Sequence, residues 1–137
     1  MMTRSSGRFD VKVLPQKADN PHAEAAGLGR MALDKQYHGA LEATSQGEML
    51  SVLDRVVGSG GYVAMERVTG TLAGRSGSFV LQHNAFMNRG AAEMKIVVVP
   101  DSGTGELAGL RGTMEIRIEE KQHFYDFDYE VGEAGSR

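Results

Sequence analysis

The chain has 137 residues, 18 of them glycine, no cysteine, and a formal net charge of −3. That length suits one domain with one core, and the missing cysteines exclude disulfides, thiolate catalysis and Cys-ligated zinc or iron–sulfur sites. The mildly acidic balance argues against non-specific binding to nucleic acid or to an anionic membrane, both of which need a concentrated basic surface.

Alternation of apolar and polar side chains with a period of two runs through nearly the whole sequence, which predicts strands rather than helices. The expected strands, in chain order, are Gly7 to Leu14, Arg30 to His38, a long stretch within Leu41 to Val57, Tyr62 to Leu72, Gly77 to Met87, Ala92 to Val99, Leu110 to Ile118 and Gln122 to Val131. Between the first two, residues 15–27 read as a loop with one short helical turn. Glu106-Leu107-Ala108, flanked by glycines, reads as a single 3₁₀ turn. Residues 132–137 are expected to fray. The whole of 1–137 is then one domain.

Hairpin turns fix register, and register decides which side chains share a face. A turn at Gly74-Arg75 would oppose Leu72 to Gly77, Gly70 to Phe79, Val68 to Leu81 and Glu66 to His83. One face is then apolar except for its last pair, with Phe79 covering Gly70. A turn at Glu120-Lys121 opposes Ile118 to His123, Ile116 to Tyr125, Met114 to Phe127 and Gly112 to Tyr129, again an apolar or aromatic face. Its outer face sets Glu115 against Asp126, a like-charge pair that a bulge would relieve. A third turn within Asn88 to Ala91 would bring Met94, Ile96 and Val98 beside His83, Leu81 and Phe79.

With no amphipathic helix to cover them, these apolar faces must cover one another. The expected fold is therefore all-β, a single eight-stranded antiparallel barrel of meander topology with little helix; a two-sheet sandwich is the alternative. Pro100, after the Val97-Val98-Val99 run, is placed as a gatekeeper against aggregation.

Common chemical signatures are missing. Gly103-x-Gly105-x-x-x-Gly109 has the wrong spacing for a dinucleotide fingerprint. Gly74-Arg75-Ser76-Gly77 is a turn rather than a nucleophile elbow. His22, His38, His83 and His123 have no metal-binding spacing, so neither a metal nor a cofactor is expected. Glu66 and His83 on the inner face are the candidate catalytic pair, with Tyr62, His123 and Tyr125 nearby. A carboxylate beside an imidazole in a low-dielectric interior either moves protons or merely satisfies a buried partner. Arg67 and Arg75 are expected to face solvent. The series His123, Tyr125, Phe127 and Tyr129 reads as wall and core or as a ligand wall. Met31, Met49, Met65, Met87, Met94 and Met114 read as adaptable packing, those facing inward being able to line a pocket.

The segments Gly61 to His83 and Val98 to Gly112, with Gly7-x-Phe9-x-Val11, Tyr37-x-Gly39-x-Leu41 and His123-x-Tyr125-x-Phe127-x-Tyr129, closely resemble the bacterial domain of unknown function 3224 family across essentially the whole chain. That family is similar in fold to the allene oxide cyclase barrel. The resemblance implies an eight-stranded barrel with an apolar cavity for a small hydrophobic molecule. Allene oxide cyclase steers a cyclisation in its barrel with a glutamate in the cavity, yet Glu66 cannot be matched to that position, so the resemblance carries over no catalytic residue.

Three functions stay open on the sequence. The first is binding of a lipid-like or aromatic molecule by Tyr62, Phe79, Leu81, Ile96, His123, Tyr125 and Phe127. The second is a cofactor-free isomerase or cyclase using Glu66 and His83. The third is an interaction domain acting through its surface or as a homo-oligomer. No signal-peptide-like segment opens the sequence, and its longest aliphatic run, Ile96 to Val99, falls far short of the roughly 18 residues that span a bilayer, so a cytoplasmic protein is expected.

Overall fold

A computed structural model describes residues 2–53 and 56–132. Eight antiparallel strands follow one another around a closed barrel: β1 (Thr3–Pro15), β2 (Gly29–Tyr37), β3 (Leu41–Leu53), β4 (Gly60–Leu72), β5 (Arg75–Asn88), β6 (Ala91–Val98), β7 (Leu110–Glu119) and β8 (Gln122–Val131). All eight expected strands are present, with ends shifted by a few residues. The sandwich is excluded, because β1 pairs with both β2 and β8; Phe9 is shared, lying opposite Tyr37 on one side and His123 on the other. A single short helix, α1 (Pro21–Ala25), sits in the expected loop and buries none of its residues. A 3₁₀ turn covers Gly105–Leu107. The expected fraying at the carboxyl terminus falls on 133–137, outside the described residues.

The β7–β8 register is the predicted one throughout, from Gly112 opposite Tyr129 to Ile118 opposite His123. Glu120 and Lys121 make the turn with φ of 50° and 67°, the left-handed pair whose twist suits a two-residue hairpin. No bulge relieves Glu115 opposite Asp126. Instead Asp126 accepts from Arg117 Nε at 2.7 Å and from Ser6 Oγ at 2.7 Å, so neighbouring donors offset the repulsion.

Two registers differ from expectation by two residues. The β4–β5 turn lies at Ala73-Gly74, not Gly74-Arg75, so Val68 opposes Phe79, Glu66 opposes Leu81 and Ala64 opposes His83. Both turn residues have positive φ, 50° and 83°, and glycine belongs at the second of these positions rather than the first. Gly70 therefore opposes Gly77 rather than Phe79. A Cβ on Gly70 would come within 2.7 Å of the Ala43 Cα, and one on Gly77 within 2.1 Å of the Thr104 carbonyl oxygen. The β5–β6 turn lies at Arg89-Gly90, pairing Leu81 with Val98, His83 with Ile96 and Ala85 with Met94. A slip of two preserves the period of the strand, so every residue keeps its predicted face.

The two ends of the barrel differ. At one end Leu41, Leu72, Phe79, Leu107, Leu110 and Phe127 are each no more than 1% exposed. The 3₁₀ turn seals this end: residues 99–109 run back along β5, with Thr104 N donating to Ser78 O at 2.8 Å and Val80 N donating to Ser102 Oγ at 3.0 Å. The other end carries the β1–β2 loop with α1 and the starts of β4 and β6, and among the described residues nothing comparable fills it.

Candidate functional site

Glu66 is the buried centre of a polar cluster. Alternation on β4 points it inward between Ala64 and Val68, and four donors from three neighbouring strands converge on its carboxylate. Oε1 accepts from Tyr37 Oη at 2.5 Å and Ser45 Oγ at 2.7 Å. Oε2 accepts from Lys35 Nζ at 2.7 Å and His83 Nε2 at 2.6 Å. Tyr37, Ser45, Lys35 and His83 are all buried. Lys35 Nζ also lies 5.1 Å from the centre of the Phe9 ring, a cation–π contact that helps to hold a desolvated ammonium.

Burial pushes the Glu66 carboxyl upward, yet the hydrogen bond from His83 and the charge of Lys35 outweigh it and hold the pKa at about 2. Glu66 is thus ionised at neutral pH with both oxygens occupied. Tyr37 is driven well above the ordinary phenol value, first by burial and then by the Glu66 charge, and remains a donor. An ionised carboxylate at Oε2 requires the proton on His83 Nε2. His83 Nδ1 is then the open end of the cluster: it is buried and has no hydrogen-bond partner.

The predicted pairing of Glu66 with His83 is present as a contact, although the two are diagonal neighbours rather than directly opposed. Lys35, Tyr37 and Ser45 were missed, and the signal for them was available. Alternation along β2 puts Leu33, Lys35 and Tyr37 on one face, so a lysine on an apolar face needed a buried anion.

The other predicted site residues divide. Tyr62 lines a recess of about 510 Å³ at the unsealed end, together with Met31, Met49, Ala85, Met87 and Met94. Its ring lies 6.3 Å from that of His83, and its hydroxyl lies 3.9 Å from Met94 Sδ. Burial first, and then the Glu66 charge, raises the Tyr62 phenol. Phe79, Leu81, Ile96, Tyr125 and Phe127 instead belong to the packed core and do not line this recess. Phe79 and Phe127 stack with centroids 5.7 Å apart. Tyr125 fastens the β2–β3 turn, its hydroxyl donating to His38 O at 2.9 Å and accepting from Leu41 N at 3.3 Å. His123 is half-buried, its ring 5.2 Å from that of Phe9. Of the six methionines singled out from the sequence, Met114 is core, Met65 faces out, and Met31, Met49, Met87 and Met94 line the recess. Arg67 and Arg75 are exposed, as expected.

A family model described as a protein of unknown function (DUF3224) matches residues 5–129. Among solved structures, a DUF3224-family protein of unknown function from Shewanella oneidensis MR-1 is 54% identical; the match covers 98% of this chain and 100% of that one, with a TM-score of 0.91. No curated protein matches. Among the described residues no helix is long and apolar enough to cross a membrane.

Proposed function

The chain belongs to the DUF3224 family, and we propose that its barrel binds one small apolar molecule in the recess at the unsealed end. One observation carries this reading: about 510 Å³ of space walled by Met31, Met49, Tyr62, Ala85, Met87 and Met94. That size lies within the range of small-molecule sites, which are mostly apolar with few polar groups. Unbranched methionine side chains adapt to ligands of different shape, so the recess suits a lipid-like or aromatic class rather than one rigid shape. The predicted cavity around Phe79, Leu81 and Phe127 is not the proposed site, because those side chains pack against one another.

The test compares native with denaturing mass spectra of freshly purified protein, followed by titration with the fluorescent apolar probe 1-aminoanthracene. A released molecule, or saturable probe binding that Met49→Trp abolishes without lowering Tm, supports the reading. If nothing is released and the probe does not bind, it fails.

A second reading, a cofactor-free isomerase or cyclase, is favoured by the unpartnered His83 Nδ1. Glu66 has no free oxygen and would serve as a positioning residue, holding the Nε2 proton so that Nδ1 presents its lone pair. This reading expects His83→Ala to abolish turnover of a released ligand while its binding is retained.

A further inference from the structure

The barrel closes unevenly. Every other neighbouring pair of strands is matched over seven or more residues, but β6 and β7 pair only through Ile96 with Met114 and Val97 with Thr113. Toward the unsealed end, Ala91–Lys95 and Glu115–Glu119 have no partners across the seam. Side-chain burial shows the same break. Ile96 and Met114, at the paired positions, are 1% and 2% exposed, whereas the inward-facing Met94 and Ile118 are 44% and 66% exposed. The chain beyond Val98 explains why: residues 99–109 follow β5, Val99 N donating to Val80 O at 2.9 Å, so no hairpin draws β7 against β6.

Extending the existing register gives five further pairs. On the inner face Met94 would meet Ile116 and Ala92 would meet Ile118. On the outer face Lys95 would meet Glu115 and Glu93 would meet Arg117. Four of the five are apolar with apolar or opposite in charge, the combinations that stabilise antiparallel neighbours; the last, Ala91 with Glu119, lies at the rim. No ion pair joins either charged couple in the open seam; Arg117 is held by Asp126 and Glu119 instead. Bare strand edges invite pairing with other chains, and charged side chains are a common defence. These four charges, however, are ordered so that they also match each other.

The geometry points to a lateral gate: β6 and β7 zip together in the register set by Ile96 and Met114, and the seam opens to admit ligand to the recess. Ala92, Glu93 and Met94 are both wall of the recess and edge of the seam, so closing the seam rebuilds the wall. The inference rests on the recess being the binding site proposed above. Closure buries Met94 and Ile118 and replaces water on the exposed backbone groups, and ligand in the recess adds apolar surface to the same wall.

Because the chain has no cysteine, Glu93→Cys with Arg117→Cys places one disulfide across the seam. The predicted outcome is ready crosslinking of the folded protein under mild oxidant, while a pair out of register, Glu93→Cys with Thr113→Cys, stays reduced. In stopped flow, oxidation of the first pair slows 1-aminoanthracene association by about tenfold or more, as expected for a closed lid, and reductant restores the rate. Absence of the crosslink, equal crosslinking of both pairs, or unchanged association in the oxidised protein overturns the gate. Absence of probe binding even in the reduced protein would instead reject the recess as the site, and the contrast between the two cysteine pairs would still decide whether the seam zips.

Discussion

The two ends of this barrel are built from the same strands and behave as different materials. At the sealed end, large side chains fill the space: Phe79 stacks on Phe127, and Leu107 is delivered by the 3₁₀ turn into the opening. At the other end the inward positions hold methionines and small residues beside Tyr62 and Ile118, and Met87 and Met94 are nearly half exposed. The Glu66 cluster lies between them. A barrel can therefore be stable at one end and open at the other, because packing energy and binding space need not come from the same positions.

The largest expected effect tests that division. Phe127→Ala should destabilise the protein by about 3–5 kcal/mol, the cost of a cavity in a packed core, whereas Met94→Ala should cost less than about 1 kcal/mol. Urea unfolding of both variants measures the contrast, and similar losses would mean that the two ends share one energetic core. Next comes Glu66→Leu, which strands a buried ammonium at Lys35 and should cost about 3–5 kcal/mol; adding Lys35→Met should recover most of it. Failure of the second change to rescue the first would show that Tyr37, Ser45 and His83, rather than the ion pair, dominate the cluster.

The same cluster predicts a pH response. The Glu66 carboxyl is held at about 2 in the folded state, below the ordinary glutamate value of 4.5. The unfolded chain therefore takes up this proton first as pH falls. The stability it contributes is full above about pH 5 and is lost as pH drops toward 2. Unfolding free energies across that window should fall more steeply for the wild type than for the Glu66→Leu, Lys35→Met variant. The smallest effect belongs to Tyr125→Phe, which deletes one hydroxyl between His38 O and Leu41 N and should cost about 1 kcal/mol. A much larger loss would show that this tie, and not the stacked core, holds β8 to the β2–β3 turn.

Strand positions and faces were legible because period two is a local property of consecutive residues. The β7–β8 register was legible as well, since Glu120-Lys121 is the only short polar break between two clear alternations. The β4–β5 and β5–β6 registers were each read two residues off. Glycines at 70, 74 and 77 allow more than one turn, and a slip of two leaves the face pattern unchanged. Glu66 and His83 were found because they break an apolar face. Lys35 broke one too, but its partner Glu66 lies two strands away across β3, so no single hairpin register sets the two against each other.

The sequence alone determined that this protein is a meander of eight two-faced strands, because alternation and turn glycines act over a few residues. It also determined that a glutamate and a histidine face inward. Only the tertiary structure decided that four donors saturate that glutamate, that one end is sealed by a segment more than twenty residues along the chain from the part of β5 it bonds to, and that β6 and β7 meet at two positions only. Those outcomes depend on how a closed sheet brings distant segments together and how much volume remains inside, quantities that no local pattern of residues contains.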